Sequence, residues 1–317
     1  MDVRRLELLR ELAERGSVTA VAEATHRTPS AVSQQLKQLQ REAGVPLTER
    51  DGRGIALTAA GRALARTAAD VATAIERAEA LWDDYLGAPR GEVSVLVFQT
   101  AGTMLAPGML QSVAAHPGLS VVCTDASFET VDYASLTPDY DIVLTDSEGI
   151  RANWEERQLH VIPLMREPLD IALSVDHRLA GRSSLSPADL VGEDWIGVPE
   201  GQPFDVLLRQ IEAVNGTPAH IVQRFQDNGI VEAMVAAGLG IAILPRFTTP
   251  TQDTGIVMRP LKGVRATRVI SALMRPDRAE RQSVRLVVDA LRREGSRVQA
   301  EQAGHPGART RAAAAER

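Results

Sequence analysis

Ser30, Ser33, Gln34 and Lys37 follow Thr28-Pro29 at spacings that gather them on one side of a helix. Hydroxyl, carboxamide and ammonium groups near the start of a helix are what a duplex groove requires, because base edges present donors and acceptors there. The Gln34 carboxamide suits adenine at N6 and N7, and Pro29 suits a thymine methyl. Thr28, Ser30, Lys37, Arg50 and Arg53 complete the candidate set as cap, phosphate and wing contacts. A solvated helix face is the plain alternative for each of them. The opposite side answers it, since Val32, Leu36, Leu39 and Ala43 recur at i, i+4, i+7 and i+11 and give the helix an anchored face.

The flanking elements must hold that helix. Val3, Leu6, Leu9, Leu12 and Ala13 predict a first helix ended by Gly16, and Ser17 caps a short second one through Ala24. Thr28 caps the third helix with Pro29 in its first turn, Gly44 ends it, and Arg50-Asp51-Gly52-Arg53-Gly54 turns between Leu47 and Ile55-Ala56-Leu57 as a two-stranded wing. Thr58 then caps a helix to about Leu86, in which Leu64, Ala68, Val71, Ile75, Ala78, Trp82 and Tyr85 keep alternating steps of four and three. That spacing predicts a seam against another helix, and a solitary helix would leave Ile75 and Trp82 in water. Self-association is the expectation, with packing on the chain's own core as the alternative.

Gly87-Ala88-Pro89-Arg90-Gly91 marks a hinge, beyond which the texture changes. Apolar runs at 93–98, 119–123, 142–145, 169–175, 195–198 and 241–244 alternate with helical stretches at 104–115, 206–214 and 230–237, which predicts parallel sheets covered by helices. A last amphipathic helix carries Val284, Val287, Val288 and Leu291, and the stretch from Glu294 to Arg317 has no period and is expected to lack structure. The resulting division is 1–58 for the DNA-binding unit, 59–88 for linker helix and hinge, 89–294 for the α/β unit and 295–317 for the tail.

Composition narrows the function classes. The chain has 317 residues, a formal charge of −6 and no apolar run long enough to cross a membrane, so any nucleic-acid surface must be local. Between 26 and 66 the balance reverses, with Arg27, Lys37, Arg41, Arg50, Arg53, Arg62 and Arg66 against Glu42, Glu49 and Asp51. The N-terminus is interrupted by charges where an export signal would be apolar, so a cytoplasmic location is expected. Cys123 is the only cysteine, which excludes an internal disulfide and a Cys-x-x-Cys site, and it reads as a buried residue in an apolar run. The six histidines are scattered; neither a Walker loop nor His-Glu-x-x-His nor Gly-x-Ser-x-Gly occurs, and Gly238-Leu239-Gly240 lacks the third glycine of a dinucleotide fingerprint. No catalytic residue, metal ligand or cofactor is assigned.

Residues 1–66 resemble the DNA-binding domain of LysR-type transcriptional regulators. The resemblance rests on Gly16-Ser17-Val18-Thr19-Ala20-Val21-Ala22, on Thr28-Pro29-Ser30-Ala31-Val32-Ser33-Gln34-Gln35-Leu36, on Gly44-Val45-Pro46-Leu47 with Arg50, and on Leu57-Thr58-Ala59-Ala60-Gly61. It continues more weakly through Pro163-Leu164, 176–180 and 238–245. Two positions depart from the family pattern, Gln40 where glutamate is usual and Thr48 where an aromatic is usual. The resemblance implies an α/β protein overall: an all-α winged helix-turn-helix, a long linker helix that pairs subunits, and a two-subdomain effector domain similar to periplasmic binding proteins. It implies double-stranded promoter DNA, a small-molecule effector, RNA polymerase and a homodimer or dimer of dimers as partners. It places the effector at Thr100, Gly102 and Thr103, where a helix start suits an anion, with Thr145, Gln202, Phe204 and Asn228 facing them. A solute-binding protein and an α/β enzyme carrying a DNA module are the rival readings.

Overall fold

The computed structural model describes residues 1–52, 54–86, 89–125, 132–147 and 152–304. Arg53, Gly87, Ala88 and residues 305–317 therefore lie outside the described residues.

The first helices form where capping chemistry places them. α1 (Val3–Arg15) is capped by Asp2, α2 (Val18–Ala24) by the Ser17 hydroxyl, and α3 (Pro29–Ala43) by the Thr28 hydroxyl, which accepts from the Ala31 amide. Gly16 and Gly44 end α1 and α3 at φ 72° and 71°, the left-handed turn that a side chain resists. The turn between α2 and α3 passes through His26 at φ 51°. β1 (Thr48–Asp51) and β2 (Gly54–Leu57) form the wing, antiparallel, with Thr48 opposite Leu57 and Arg50 opposite Ile55. Leu9, Val21, Val32, Leu39 and Leu47 are the centre of this unit's core.

α4 (Ala59–Leu86) has three faces. Its first turns close the helix-turn-helix core: Ala65 and Ala68 are buried in it, Leu64 packs against it, and Gly61 is required because a Cβ there would stand 2.0 Å from the Leu47 carbonyl oxygen. Leu64 and Ala68, expected in an intersubunit seam, instead belong to their own chain's core, because the first turns of α4 cover α1. Farther along, Glu76, Arg77 and Ala80 turn toward the C-terminal unit. Ile75, Ala78, Trp82 and Tyr85 remain exposed, with the two rings stacked at 5.5 Å.

The C-terminal unit contains β3 (Gly91–Val97), α5 (Gln99–Val113), β4 (Leu119–Asp125), β5 (Ile142–Ser147), α6 (Ala152–Glu156), β6 (His160–Ser174), β7 (Asp194–Gly197), α7 (Pro203–Asn215), β8 (His220–Arg224), α8 (Asn228–Ala236), β9 (Ala242–Pro245), β10 (Ile256–Pro260), β11 (Thr267–Met274), α9 (Pro276–Glu280) and α10 (Gln282–Gly304). Two lobes share β6. Its first half pairs with β11 in the order β6-β11-β5-β3-β4, and its second half pairs with β10 and β9. β3 is parallel to β4 and β5, and β7 is parallel to β8, as alternating strands and helices predict. The shared strands differ: β11 is antiparallel to both β5 and β6, because the chain leaves the first lobe along β6 and must return to it along β11. Each lobe has its own apolar core, centred on Val95, Leu105, Met109 and Leu291 in one and on Ile171, Trp195, Leu207 and Ile211 in the other.

α10 corrects the expected end of structure at residue 294. The helix runs to Gly304, and its buried stripe of Val287, Leu291, Glu294 and Val298 keeps helical spacing. A glutamate interrupts the apolar pattern there; Arg297 meets its carboxylate while the aliphatic stem stays buried.

Candidate functional site

Two regions collect functional side chains. In the first, Pro29, Ser30, Gln34 and Lys37 are exposed along one side of α3, Ser33 is partly buried, and Val32, Leu36 and Leu39 are buried on the other. Thr28 is occupied as a cap and bonds the Ser30 hydroxyl at 3.0 Å. Arg50 is exposed on β1. The two unusual positions have local explanations. Gln40 Oε1 accepts from the Leu47 amide at 3.0 Å, which an amide oxygen does as well as a carboxylate, and this pins the start of the wing to α3. Leu47, rather than residue 48, is the wing's buried anchor, so Thr48 is tolerated at a partly exposed position.

The second region is a cleft between the lobes. Phe98, Gln99 and Thr100 come from the start of α5, Asp146 from β5, Gln202, Pro203 and Phe204 from the start of α7, Gln226 and Asn228 from the start of α8, and Arg268 from β11. Phe98 and Gln202 stand at the N-cap positions of α5 and α7 with no side-chain cap bond, so both helix ends turn backbone donors and a positive dipole end toward the cleft.

Arg268 organises the floor. Its Nε and Nη2 donate to Glu167 Oε2 at 2.9 and 2.6 Å, Nη1 to Asp146 at 2.8 Å, and Nη2 also to Thr100 Oγ1 at 2.7 Å. Its guanidinium carbon lies 5.4 Å from both the Phe98 and the Phe204 rings. Burial opposes its charge, but Glu167 and Asp146 outweigh that and raise its pKa above the ordinary arginine value. One guanidinium thus stands between two carboxyl groups, Asp146 at the cleft and Glu167 behind it, and is already paired. Tyr133, which packs edge-on against Phe98, is raised above the ordinary phenol value by burial and then by Asp146.

Thr100, Gln202, Phe204 and Asn228 line this cleft. Gly102, Thr103 and Thr145 do not. Gly102 lies against Val97, where a Cβ would meet Cγ2 at 3.0 Å, and Thr103 is exposed, donating to the Gln99 carbonyl. Thr145 is buried in register with Ser271; successive strand residues face opposite ways, so its neighbour Asp146 takes the cleft position. Sequence reasoning missed Arg268 and Asp146. The available signal was a lone arginine inside the β-branched run Thr267-Arg268-Val269-Ile270, which reads as a strand with one charge facing a pocket.

Known proteins agree with this architecture. Residues 3–62 match the bacterial regulatory helix-turn-helix model of the lysR family, and residues 86–296 match the LysR substrate binding domain. The DNA-binding transcriptional dual regulator OxyR of Escherichia coli (strain K12) is 26% identical over 297 residues, covering 92% of this chain and 95% of that protein. The transcriptional dual regulator GltC of Bacillus subtilis (strain 168) is 24% identical over 249 residues, covering 78% and 82%. A full-length OxyR variant from Pseudomonas aeruginosa superposes with a TM-score of 0.62 at 20% identity, covering 92% of this chain and 98% of that one. With a polar side of α3 exposed on a winged helix-turn-helix, a two-lobed α/β domain behind it, and both family models matched along most of its length, the chain belongs to the LysR family of DNA-binding transcription regulators and is not an enzyme.

Proposed function

We propose that this regulator works as a homodimer or dimer of dimers whose promoter binding, and contact with RNA polymerase, respond to a small molecule held in the cleft. The observation that carries the reading is that the cleft's walls come from both lobes: Thr100 and Asp146 from one, Gln202, Phe204 and Asn228 from the other. A ligand touching both walls binds the closed arrangement better than the open one, which is the differential affinity a switch requires. Pairing is supported by the bare stripe of α4, where Trp82 and Tyr85 are 60% and 80% exposed. A cytoplasmic location is the reading that membership of this family supports, and no helix among the described residues is long and apolar enough to cross a membrane.

The cleft chemistry also refines the ligand class. Helix starts alone suit an anion, yet Arg268 already serves Asp146 and Glu167, so among the described residues an acidic ligand meets no unspent cation there. A neutral ligand, or one carrying a cationic group, fits the floor better. The relatives named as hydrogen peroxide-inducible genes activators do not fix the effector of this chain. With one cysteine, whose thiol burial pushes up, it has poor means for thiolate-based sensing.

The test begins with genome-wide mapping of bound promoters, which names the regulated pathway and its metabolites. Those metabolites are then assayed for thermal stabilisation and promoter binding on the same protein. A metabolite that raises Tm and shifts promoter affinity supports the switch; stabilisation with unchanged promoter affinity and output speaks against it.

A further inference from the structure

α1 serves two purposes. Leu6, Leu9 and Leu12 face the helix-turn-helix core, but Arg10 and Glu11 are also buried, on a side that core does not cover. What covers it is the C-terminal unit. Arg275 Nη1 donates to Glu11 at 2.7 Å and lies 3.2 Å from Glu14; Arg10 Nη1 is 3.1 Å from Asp277; Arg15 bonds Asp139 at 2.7 Å. Alongside, Arg281 donates to Glu76 of α4 at 2.6 and 2.9 Å. Arg10 Nε and Arg275 Nη2 are buried without an acceptor, so this polar seam is incompletely satisfied. A seam of this kind holds a defined geometry at little net gain in stability and separates without a large penalty.

Arg275 directly follows β11, and Arg268 sits near its start. One strand, roughly 23 Å from the first arginine to the second at 3.3 Å per residue, therefore joins the cleft floor to the seam. α3 remains uncovered, so the seam leaves DNA access open and fixes the direction in which α3 points.

We propose that the contact between α1 and the β11–α9 corner is an internal latch that sets the orientation of the recognition helix, and that β11 links the latch to the cleft through Arg268 and Arg275. The cleft half rests on the effector reading above, but the measurement below needs no effector, so failure to find one does not bear on its outcome.

The test measures one intrachain distance by pulsed spin-label spectroscopy in the full-length protein. The labels are at Glu23→Cys on α2 and Ala213→Cys on α7, in a Cys123→Ser background, with labelled chains diluted in unlabelled ones. A single narrow distance is expected, broadened about twofold or more by Arg275→Gln, as for a domain freed on its hinge. Asp277→Asn must act in the same direction; far-UV circular dichroism checks folding. Arg268→Lys should shift the distance alone and add nothing to Arg275→Gln. A narrow distance that survives both Arg275→Gln and Asp277→Asn overturns the latch, and additive effects of Arg268→Lys and Arg275→Gln overturn the link through β11.

Discussion

Gln34 and Lys37 are neighbours on one helix face, yet their chemistry predicts different losses. Gln34→Ala should relax preference at one base pair by about 1–3 kcal/mol, seen as a smaller gap between specific and mismatched duplexes in titrations. Equal weakening on specific and random DNA would remove its reading role. Lys37→Ala should weaken all duplexes alike and lower the slope of log K against log salt by about one, an effect absent if its ammonium stays in solvent. Arg268 belongs to a different class of residue, because its loss leaves Asp146 and Glu167 buried without a cation. Arg268→Met is expected to destabilise the C-terminal unit by about 3–5 kcal/mol in denaturant titration; a midpoint close to that of the parent protein would mean that the carboxylates find protons or water instead.

At the scale of elements, the proposed pairing of two chains turns on α4. Its first turns are committed to the helix-turn-helix core and its Glu76 side to α9, which leaves Ile75, Ala78, Trp82 and Tyr85 as the surface available to a second chain. Ile75→Asp sets a charge in that surface and should lower the mass seen by light scattering to that of the monomer at low micromolar concentration, without loss of helical signal. An unchanged mass would move the subunit interface elsewhere. The β6–β11 pair is the corresponding element for the cleft: Glu167 and Arg268 are direct register partners on it, so their ion pair is fixed by backbone pairing before any side chain is packed.

For the whole molecule, the seam between α1 and α9 carries a titratable group. Burial raises Glu14 to about 8; Glu11, Asp277 and Glu7 push the same way, while Arg10, and Arg275 at 3.2 Å, favour the carboxylate. A carboxyl that holds its proton in the docked state and loses it near 4.5 when free favours docking at low pH. That advantage is present in full below about 4.5, declines as pH rises between 4.5 and 8, and is gone above. Amide-exchange protection of α1 should therefore fall from pH 5 to pH 8 beyond the intrinsic rate change, and Glu14→Gln should flatten that dependence. Protection that is level across the range in the parent protein would show Glu14 to be ionised in the docked state.

Much of this was legible from local chemistry. Caps at Ser17 and Thr28, left-handed glycines at 16 and 44, and the two-sided pattern of α3 specify the helix-turn-helix, because each depends on neighbours within a few residues. The alternating strands were readable for the same reason. Tertiary structure alone decided which residues meet across distance: that β11 returns antiparallel to place Arg268 against Asp146, that Leu64 and Ala68 cover their own domain, and that α10 continues past a buried glutamate paired with Arg297. Buried charge is where sequence pattern fails, since Arg10, Glu11, Arg268 and Arg275 look like solvent-facing residues until another part of the chain, up to 264 positions away, supplies the counter-charge that lets them be buried.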